Sequence, residues 1–141
     1  MLFKWWYSSI SEESRADLLC SFDKRELTGG SSIDWVQSFF KNYTGQNSIC
    51  FNSGTSALVA GLVASGVKPG DTVVLSPIGW IATLQAILAV GAKPLFVDVQ
   101  TNVPILDIES IKKLKFDCIL PTHYNGRIVD LSTFVDNKKS D

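Results

Sequence analysis

The chain's first candidate for chemistry is the stretch 52–58, which reads Asn-Ser-Gly-Thr-Ser-Ala-Leu. An apolar run at 49–51 leads into it, and a run of small, helix-forming residues at 57–64 leads out. Strand, glycine turn and helix in that order place backbone N–H groups at a helix N-terminus, with the hydroxyls of Thr55 and Ser56 beside them. Such a terminus binds phosphate. A helix that is merely N-capped needs the same residues, so both interpretations stay open.

The turn matches neither of two common nucleotide-binding loops. No Gly-Lys-Ser/Thr follows Gly54, which excludes a Walker A loop. The three-glycine spacing of a dinucleotide-binding loop is also absent. What remains is a glycine that lets a ligand approach the backbone closely, followed by two hydroxyl residues.

Trp80 is the second candidate. It follows a predicted strand, behind Pro77 and Gly79. A tryptophan at the ligand edge of a sheet can lay its ring on a flat heteroaromatic ligand. A place in the core or at its rim is the alternative.

The third candidate is the stretch 123–126, His-Tyr-Asn-Gly, which holds the chain's only histidine. Its groups suit proton transfer or hydrogen bonding. A Ser/His/Asp triad with Asp98 or Asp130 as the acid is formally possible, but the Gly-x-Ser-x-Gly elbow of such hydrolases is absent. The alternative is a histidine that hydrogen-bonds the loop backbone.

These stretches are positioned by a chain that begins with two helices and continues as alternating strands and helices. Caps, glycine stops and apolar spacing predict the boundaries. The first helix opens at Ser11 and ends before 27–30, and the second is capped by Ser31 or Ser32 and ends at Gly45. The later predictions are strands at 49–51, 72–75, 94–97 and 117–120, and helices at 54–65, 80–90, 108–115 and from Leu131, the last two capped by Asp107 and Asp130.

Continuous apolar strands that alternate with helices predict an α/β fold, with a mainly parallel sheet covered by helices on both faces. In such sheets ligands bind beyond the carboxyl ends of the strands. The loops 52–56, 76–80 and 122–126 all follow strands, so we expect them to converge on one edge. The aromatic spacing of the second helix (Trp35, Val36, Phe39, Phe40 and Tyr43) predicts a core-facing stripe.

Composition excludes several classes of function. The chain has 141 residues and a net charge of −1, which indicates neither a nucleic-acid partner nor an anionic membrane surface. There is no apolar run of membrane-spanning length and no signal-peptide pattern, so the cytoplasm is the expected location. Three widely spaced cysteines and one histidine argue against a disulfide framework or a metal site. Cys50 and Cys118 lie in apolar runs and are predicted to be buried.

Five motifs in the same order resemble the DegT/DnrJ/EryC1/StrS family, the sugar-nucleotide aminotransferases of pyridoxal phosphate fold type I. The resemblance covers about residues 8–131, and the matching order of the five motifs makes it specific. The motifs are Asn-Ser-Gly-Thr-Ser-Ala-Leu at 52–58, Val-Lys-Pro-Gly-Asp-Thr-Val at 67–73, Trp-Ile-Ala-Thr at 80–83, Gly-Ala-Lys-Pro-Leu-Phe-Val-Asp-Val at 91–99 and Ile-Leu-Pro-Thr-His-Tyr-Asn-Gly at 119–126.

The resemblance implies a cofactor and substrates. Gly54, Thr55 and Ser56 would hold the phosphate of pyridoxal 5′-phosphate, and Trp80 would stack on its pyridine ring. An amino donor, typically glutamate, and a keto sugar nucleotide would be the substrates, in the biosynthesis of surface polysaccharides, glycans or amino sugars. The expected domains are a helical N-terminal segment at 1–46 and a partial cofactor-binding α/β domain at 47–141. A homo-oligomer or a complementing chain is the expected assembly.

The family's catalytic lysine, and the acidic partner of the pyridine nitrogen, lie beyond the part of the family sequence that this chain resembles. No lysine here has the family's active-site context, so no catalytic residue is assigned. The sequence therefore predicts the N-terminal portion of an aminotransferase without its lysine. The alternatives are a non-catalytic truncated homologue that binds pyridoxal phosphate or a phosphorylated ligand or pairs with a full-length relative, and a small nucleotide-binding domain of another class.

Overall fold

The computed structural model describes residues 9–26 and 28–135, which form two compact units that divide after Cys50. The predicted division between 46 and 47, into a helical segment and a cofactor-binding domain, stays a prediction. In the described part of the chain no helix has the length and apolar character that a bilayer crossing requires.

The first unit contains the two predicted helices, α1 (Glu12–Asp23) and α2 (Ser31–Thr44). The Ser11 hydroxyl caps α1 by accepting the Ser14 N–H at 3.1 Å, as predicted. The cap of α2 is a correction, because its N-cap residue is Gly30, with φ +117°. The Ser31 hydroxyl instead donates to the Glu26 carboxylate at 2.9 Å. Gly45 ends α2 in the left-handed conformation, as predicted.

The aromatic stripe of α2 is not a core, contrary to the prediction. No residue of α2 is buried. The rings of Trp35 and Phe39 stack with centroids 5.8 Å apart, and those of Phe39 and Tyr43 with centroids 6.3 Å apart. Helical spacing fixes which side chains share a face, but burial needs a second layer packed against that face, and the described residues do not bury the α2 stripe.

The predicted strand at 49–51 is also wrong. These residues have no regular secondary structure, Ile49 is 74% exposed, and Cys50 is exposed rather than buried. β-Branched and aromatic composition favours a strand only where a hydrogen-bonding neighbour exists. The sheet of the described residues provides none for this segment.

The second unit is built on a parallel three-stranded sheet, which confirms the predicted α/β class. Its strands are β1 (Thr72–Leu75), β2 (Lys93–Phe96) and β3 (Cys118–Ile119), in the order β2-β1-β3. The register pairs Val74 of β1 with Leu95 on one side and Ile119 on the other. β1 is therefore the central strand, which explains its unbroken apolar sequence.

Helices cover both faces of this sheet, as predicted. They are α3 (Gly54–Ala64), α4 (Ile81–Ala89), α5 (Ile108–Ile111) and α6 (Ser132–Val135). Successive residues of β1 point to opposite faces. Val73 and Leu75 pack with residues of α3 and α4, while Val74 packs with residues of α5 and with Val129.

Caps and glycines set the helix ends much as the sequence predicts. Gly66 and Gly91 follow α3 and α4 with φ of +84° and +74°. Asp107 caps α5 through the Glu109 N–H, but α5 spans one turn rather than reaching 115. Asp130 accepts the Ser132 N–H at 2.9 Å at the start of α6.

Candidate functional site

The N-terminus of α3 is a conventional cap that leaves donors unused. The Ser53 hydroxyl accepts the Ser56 N–H at 3.1 Å, and the Ser53 carbonyl accepts the Ala57 N–H at 3.1 Å. The first four N–H groups of a helix have no partner inside the helix. The bond from Ala57 to Ser53 is the first bond of the helix itself. Of the N–H groups before it, the cap satisfies that of Ser56, and those of Gly54 and Thr55 have no acceptor within the described residues.

The two hydroxyls of the predicted cradle differ. The Ser56 hydroxyl donates to the Asn52 side-chain oxygen at 3.0 Å and lies 2.9 Å from the Ser53 hydroxyl. The Thr55 hydroxyl has no hydrogen-bond partner in the part of the chain that the structure describes. The sequence did not single out Ser53 and Asn52, although serine directly before a helix is the usual capping signal.

Space and charge at this end of α3 suit an anion. A Cβ atom built on Gly54 would meet no atom within 4 Å, so the protein leaves the volume beside the turn open. A helix N-terminus carries roughly half a positive charge. The N–H groups of Gly54 and Thr55 and the Thr55 hydroxyl are unbonded among the described residues, and such donors match a phosphate group.

Trp80 lies outside the core, which excludes the core alternative. Its side chain is 77% exposed. It occupies the N-cap position of α4 in an extended conformation, so the helix begins one residue after its predicted start at Trp80. Trp80 borders a cavity of about 240 Å³ at the carboxyl end of β1; the other lining residues are Leu75, Ser76, Pro77, Gly79, Ile81, Thr83, Leu84 and Phe96.

Ser76, which the sequence did not single out, shapes the loop in front of Trp80. It is buried, and its hydroxyl accepts the Ile78 N–H at 3.0 Å. A serine that bonds the backbone two residues ahead folds a tight turn. The available signal was a serine at a strand end, followed by Pro77.

Two of the three predicted loops meet. A Cβ atom on Gly79, in the loop after β1, would lie 3.2 Å from the Thr122 hydroxyl, in the loop after β3. β1 and β3 are parallel neighbours, so both loops leave the same edge of the sheet. Glycine at 79 permits this close approach.

The third loop, at 52–56, reaches this edge through the packing of helices. α3 packs against α4, and the Gly70 N–H donates to the Gly91 carbonyl at 2.8 Å, which joins the turns that follow the two helices. Both helices thus end at the amino side of the sheet, so both begin at its carboxyl side. The cavity beside Trp80 does not include Gly54, Thr55 or Ser56.

His123 hydrogen-bonds the backbone of its own loop, which is the alternative predicted for it from the sequence. Its Nδ1 accepts the Val129 N–H at 3.1 Å. Since that nitrogen is an acceptor, the neutral ring carries its proton on Nε2. The triad alternative is wrong, because Nδ1 of a triad histidine must donate to the acid. Asp130 is bonded to Ser132, and these hydrogen bonds hold the pKa of its carboxyl below the ordinary value of 3.8.

The exposure of the lysine side chains bears on whether a described lysine could act as a nucleophile. A lysine amine acts as a nucleophile near neutral pH when burial or a neighbouring cation depresses its pKa. Every lysine in the described residues has an exposed side chain: Lys24, Lys41, Lys68, Lys93, Lys112, Lys113 and Lys115.

Comparison with solved structures gives the same fold. The chain is similar to a putative sugar aminotransferase, Spr1654, from Streptococcus pneumoniae in its PLP-form, with a TM-score of 0.81 and 24% sequence identity. The match covers 91% of this chain and 34% of that one. The same protein has been solved in a PMP-form.

Two sequence relatives also match. The chain is 31% identical over 112 residues to the UDP-4-amino-4-deoxy-L-arabinose–oxoglutarate aminotransferase of Shewanella sediminis (strain HAW-EB3), covering 77% of this chain and 29% of that protein. It is 26% identical over 130 residues to the spore coat polysaccharide biosynthesis protein SpsC of Bacillus subtilis (strain 168), covering 89% of this chain and 33% of that protein. The chain thus spans about a third of the relatives that it matches.

The family model covers nearly the whole chain, and its match includes the α3 turn, Trp80 and the loop after β3. With residues 8–139 matched, the chain belongs to the DegT/DnrJ/EryC1/StrS aminotransferase family.

Proposed function

We propose that this chain is the N-terminal, phosphate-holding portion of an aminotransferase that uses pyridoxal 5′-phosphate. The observation that carries the proposal is the N-terminus of α3, where the N–H groups of Gly54 and Thr55 and the Thr55 hydroxyl have no partner among the described residues. A Cβ atom on Gly54 would meet no atom within 4 Å. That donor set matches a cofactor phosphate. Membership of the family supports the identity of the cofactor.

Two groups of residues would hold the two ends of the cofactor. Gly54, Thr55 and Ser56 would hold the phosphate, the Ser56 hydroxyl by turning from Asn52 toward the new acceptor. The exposed ring of Trp80 would cover the pyridine ring. Bound there, the cofactor supplies an electron sink for carbanion chemistry, while the protein supplies binding, orientation and electrostatics.

The proposed reaction of the complete enzyme is amino transfer from a donor such as glutamate to a keto sugar nucleotide, for polysaccharide, glycan or amino-sugar biosynthesis. The names of the Shewanella and Bacillus relatives support this substrate class. The contacts that would choose the sugar and the carbon to be aminated lie largely outside this third of the family sequence.

We further propose that this chain binds the cofactor without catalysing transfer by itself. An exposed lysine is protonated at neutral pH and is a poor nucleophile. The exposure of every described lysine supports this. The same observation favours the second candidate, a non-catalytic homologue that binds the cofactor or pairs with a full-length relative.

Calorimetry with pyridoxal phosphate and with pyridoxal, which lacks the phosphate, tests the binding proposal. We expect pyridoxal to bind at least tenfold more weakly. Thr55→Val should weaken pyridoxal phosphate about tenfold, because a hydrogen bond to a charged group contributes about 1.5 kcal/mol or more. The matched control is Thr44→Val, because the Thr44 hydroxyl donates to the Phe40 carbonyl inside α2, in the other unit. Equal affinity for the two ligands would refute the phosphate cradle.

Borohydride reduction with pyridoxal phosphate, followed by peptide mapping, tests the catalytic part. We expect no single lysine to be modified stoichiometrically. One stoichiometric adduct, together with sugar transaminase activity of the chain alone, would show that the assignment without a catalytic lysine is wrong. If the chain alone is inactive but raises the transaminase activity of a full-length relative above that of the relative alone, the pairing function is favoured over the first candidate.

A further inference from the structure

Trp80 is held by its backbone rather than by its side chain. Its ring is 77% exposed, so packing of the ring against the protein does little to fix its direction. On its C-terminal side, the Trp80 carbonyl accepts the Thr83 N–H at 3.1 Å in the first turn of α4. The direction of the ring therefore depends on the loop 76–79 that leads into Trp80.

The loop 76–79 is anchored at two points. The first is the turn at Ser76, whose hydroxyl accepts the Ile78 N–H at 3.0 Å. The second is the Thr122 side chain. A Cβ atom built on Gly79 would lie 3.2 Å from the Thr122 Oγ1, 3.6 Å from its Cγ2 and 3.8 Å from its Cβ. The whole Thr122 side chain thus faces the residue that immediately precedes Trp80.

Thr122 is itself tied to the sheet. The Leu120 N–H donates to the Val74 carbonyl at 2.8 Å, which joins the end of β3 to the central strand. On the other side of Thr122, the His123 ring accepts the Val129 N–H at 3.1 Å. Threonine is β-branched, so its χ1 angle has few alternatives. Thr122 is therefore a fixed point for the neighbouring loop.

The close approach is steric. Thr122 is half-buried, and its hydroxyl has no hydrogen-bond partner in the part of the chain that the structure describes. Glycine at 79 brings bare backbone to this side chain. The position of the N-cap residue of α4 thus depends on a side chain from the loop after β3, 42 residues further along the chain.

We propose that Thr122 is a positioning residue for Trp80. By its approach to Gly79 it holds the start of α4, so that the exposed Trp80 ring presents one face to the pyridine ring of the cofactor. The consequence for binding rests on the proposed function. The restraint on the backbone at Gly79 and Trp80 does not, and it can be measured without the cofactor.

NMR relaxation of the full 141-residue chain, without pyridoxal phosphate, tests the restraint. The order parameter of the Trp80 backbone N–H should be about 0.85 in the wild type and in Thr122→Val, which keeps the branched shape. Thr122→Ala removes two of the three approaching atoms and should lower the order parameter by at least about 0.1. An unchanged value in Thr122→Ala, or an equal fall in Thr122→Val, overturns the inference.

Calorimetry with pyridoxal phosphate tests the consequence for binding. Thr122→Ala should weaken binding about threefold, which is part of the loss expected for Trp80→Ala, because stacking depends on the geometry of the ring. If Thr122 acts only through the ring, Thr122→Ala should weaken binding no further in a Trp80→Ala background. The same threefold loss in both backgrounds overturns the inference, since Thr122 would then act independently of Trp80.

Gly79→Ala is an independent variant for the case that Thr122→Ala does not fold, which circular dichroism checks. Its methyl group would crowd Thr122 and should weaken binding of pyridoxal phosphate, whereas the matched control Gly29→Ala should not, because a Cβ atom there meets no atom within 4 Å. Where Thr122→Ala folds, adding it to Gly79→Ala should restore part of the affinity. Equal effects of the two glycine substitutions overturn the inference. If the wild type binds no pyridoxal phosphate, the proposed function fails, and the order parameters alone decide whether Thr122 positions Trp80.

Discussion

Replacing Trp80 with alanine separates a ligand-facing tryptophan from a structural one. A buried tryptophan removes roughly 200 Å² from water. Since 77% of the Trp80 side chain is exposed, only about 50 Å² of it is covered by the protein. At about 25 cal/mol per Å², the substitution should lower the free energy of unfolding by about 1 kcal/mol. Truncating a core tryptophan costs about 3–5 kcal/mol.

The ligand-binding consequence should be larger than the structural one. Loss of an aromatic ring that stacks on the cofactor, together with the area that it covers, should weaken pyridoxal phosphate at least about tenfold, or about 1.4 kcal/mol. Urea unfolding measures the first quantity and calorimetry the second. The matched control is Trp35→Ala on α2, a tryptophan that is 68% exposed and belongs to the other unit.

Two results would refute this reasoning. A loss of 3 kcal/mol or more in the free energy of unfolding, with a folded variant, would place Trp80 in the core. An unchanged affinity for pyridoxal phosphate in Trp80→Ala, or an equal loss in Trp35→Ala, would remove Trp80 from the cofactor site.

Three further predictions follow from packing, backbone geometry and charge. Ile87→Ala on α4 should lower the free energy of unfolding by about 3 kcal/mol in urea titrations, because its side chain is fully buried; a loss under about 1 kcal/mol would contradict the packing. Gly91→Ala should lower the free energy of unfolding, measured in urea, by more than Gly45→Ala does. Both glycines have φ +74°, but only at 91 would the new methyl group crowd the Pro69 ring, at 3.1 Å. Equal losses of free energy would show that only the left-handed conformation matters. Titration of Asp130 by NMR should give a pKa below 3.8, because the Ser132 N–H donates to its carboxylate. The stabilisation of α6 by this hydrogen bond should be fully present above pH 3.8 and should be lost as the pH falls through the lowered pKa. A midpoint at or above 3.8 would contradict the hydrogen bond.

Local patterns predicted the second unit well. The unbroken apolar sequence at 72–75 matches the bounds of β1, since a central parallel strand is apolar on both faces. Gly66 and Gly91 mark the ends of α3 and α4, because the left-handed conformation after a helix favours glycine. Asp107 is the N-cap residue of α5, as its spacing indicates. Asp130 accepts the Ser132 N–H at the start of α6, although that helix begins at Ser132 rather than at Leu131.

The failures at 49–51 and in α2 concern packing partners that the described residues do not supply. The stretch 49–51 has strand composition but no neighbouring strand in the described sheet, and the stripe of α2 has helical spacing but no buried residue. The Gly79–Thr122 approach and the bond from Val129 to His123 join groups that no local pattern relates. Hydrophobic periodicity reports which side chains share a face, whereas burial depends on what lies opposite.

For the α3 turn, the sequence by itself determined the residue types: a glycine and two hydroxyl residues at a helix N-terminus. The tertiary structure decided which donors remain for a ligand. The Ser53 cap uses the Ser56 N–H, and Asn52 accepts from the Ser56 hydroxyl, so Gly54 and Thr55 keep the open N–H groups. The sequence also supplied a tryptophan after a strand, and only the fold decided that its ring lies outside the core. The physical reason is that caps and spacing act within a few residues, while exposure is set by elements far apart in the chain.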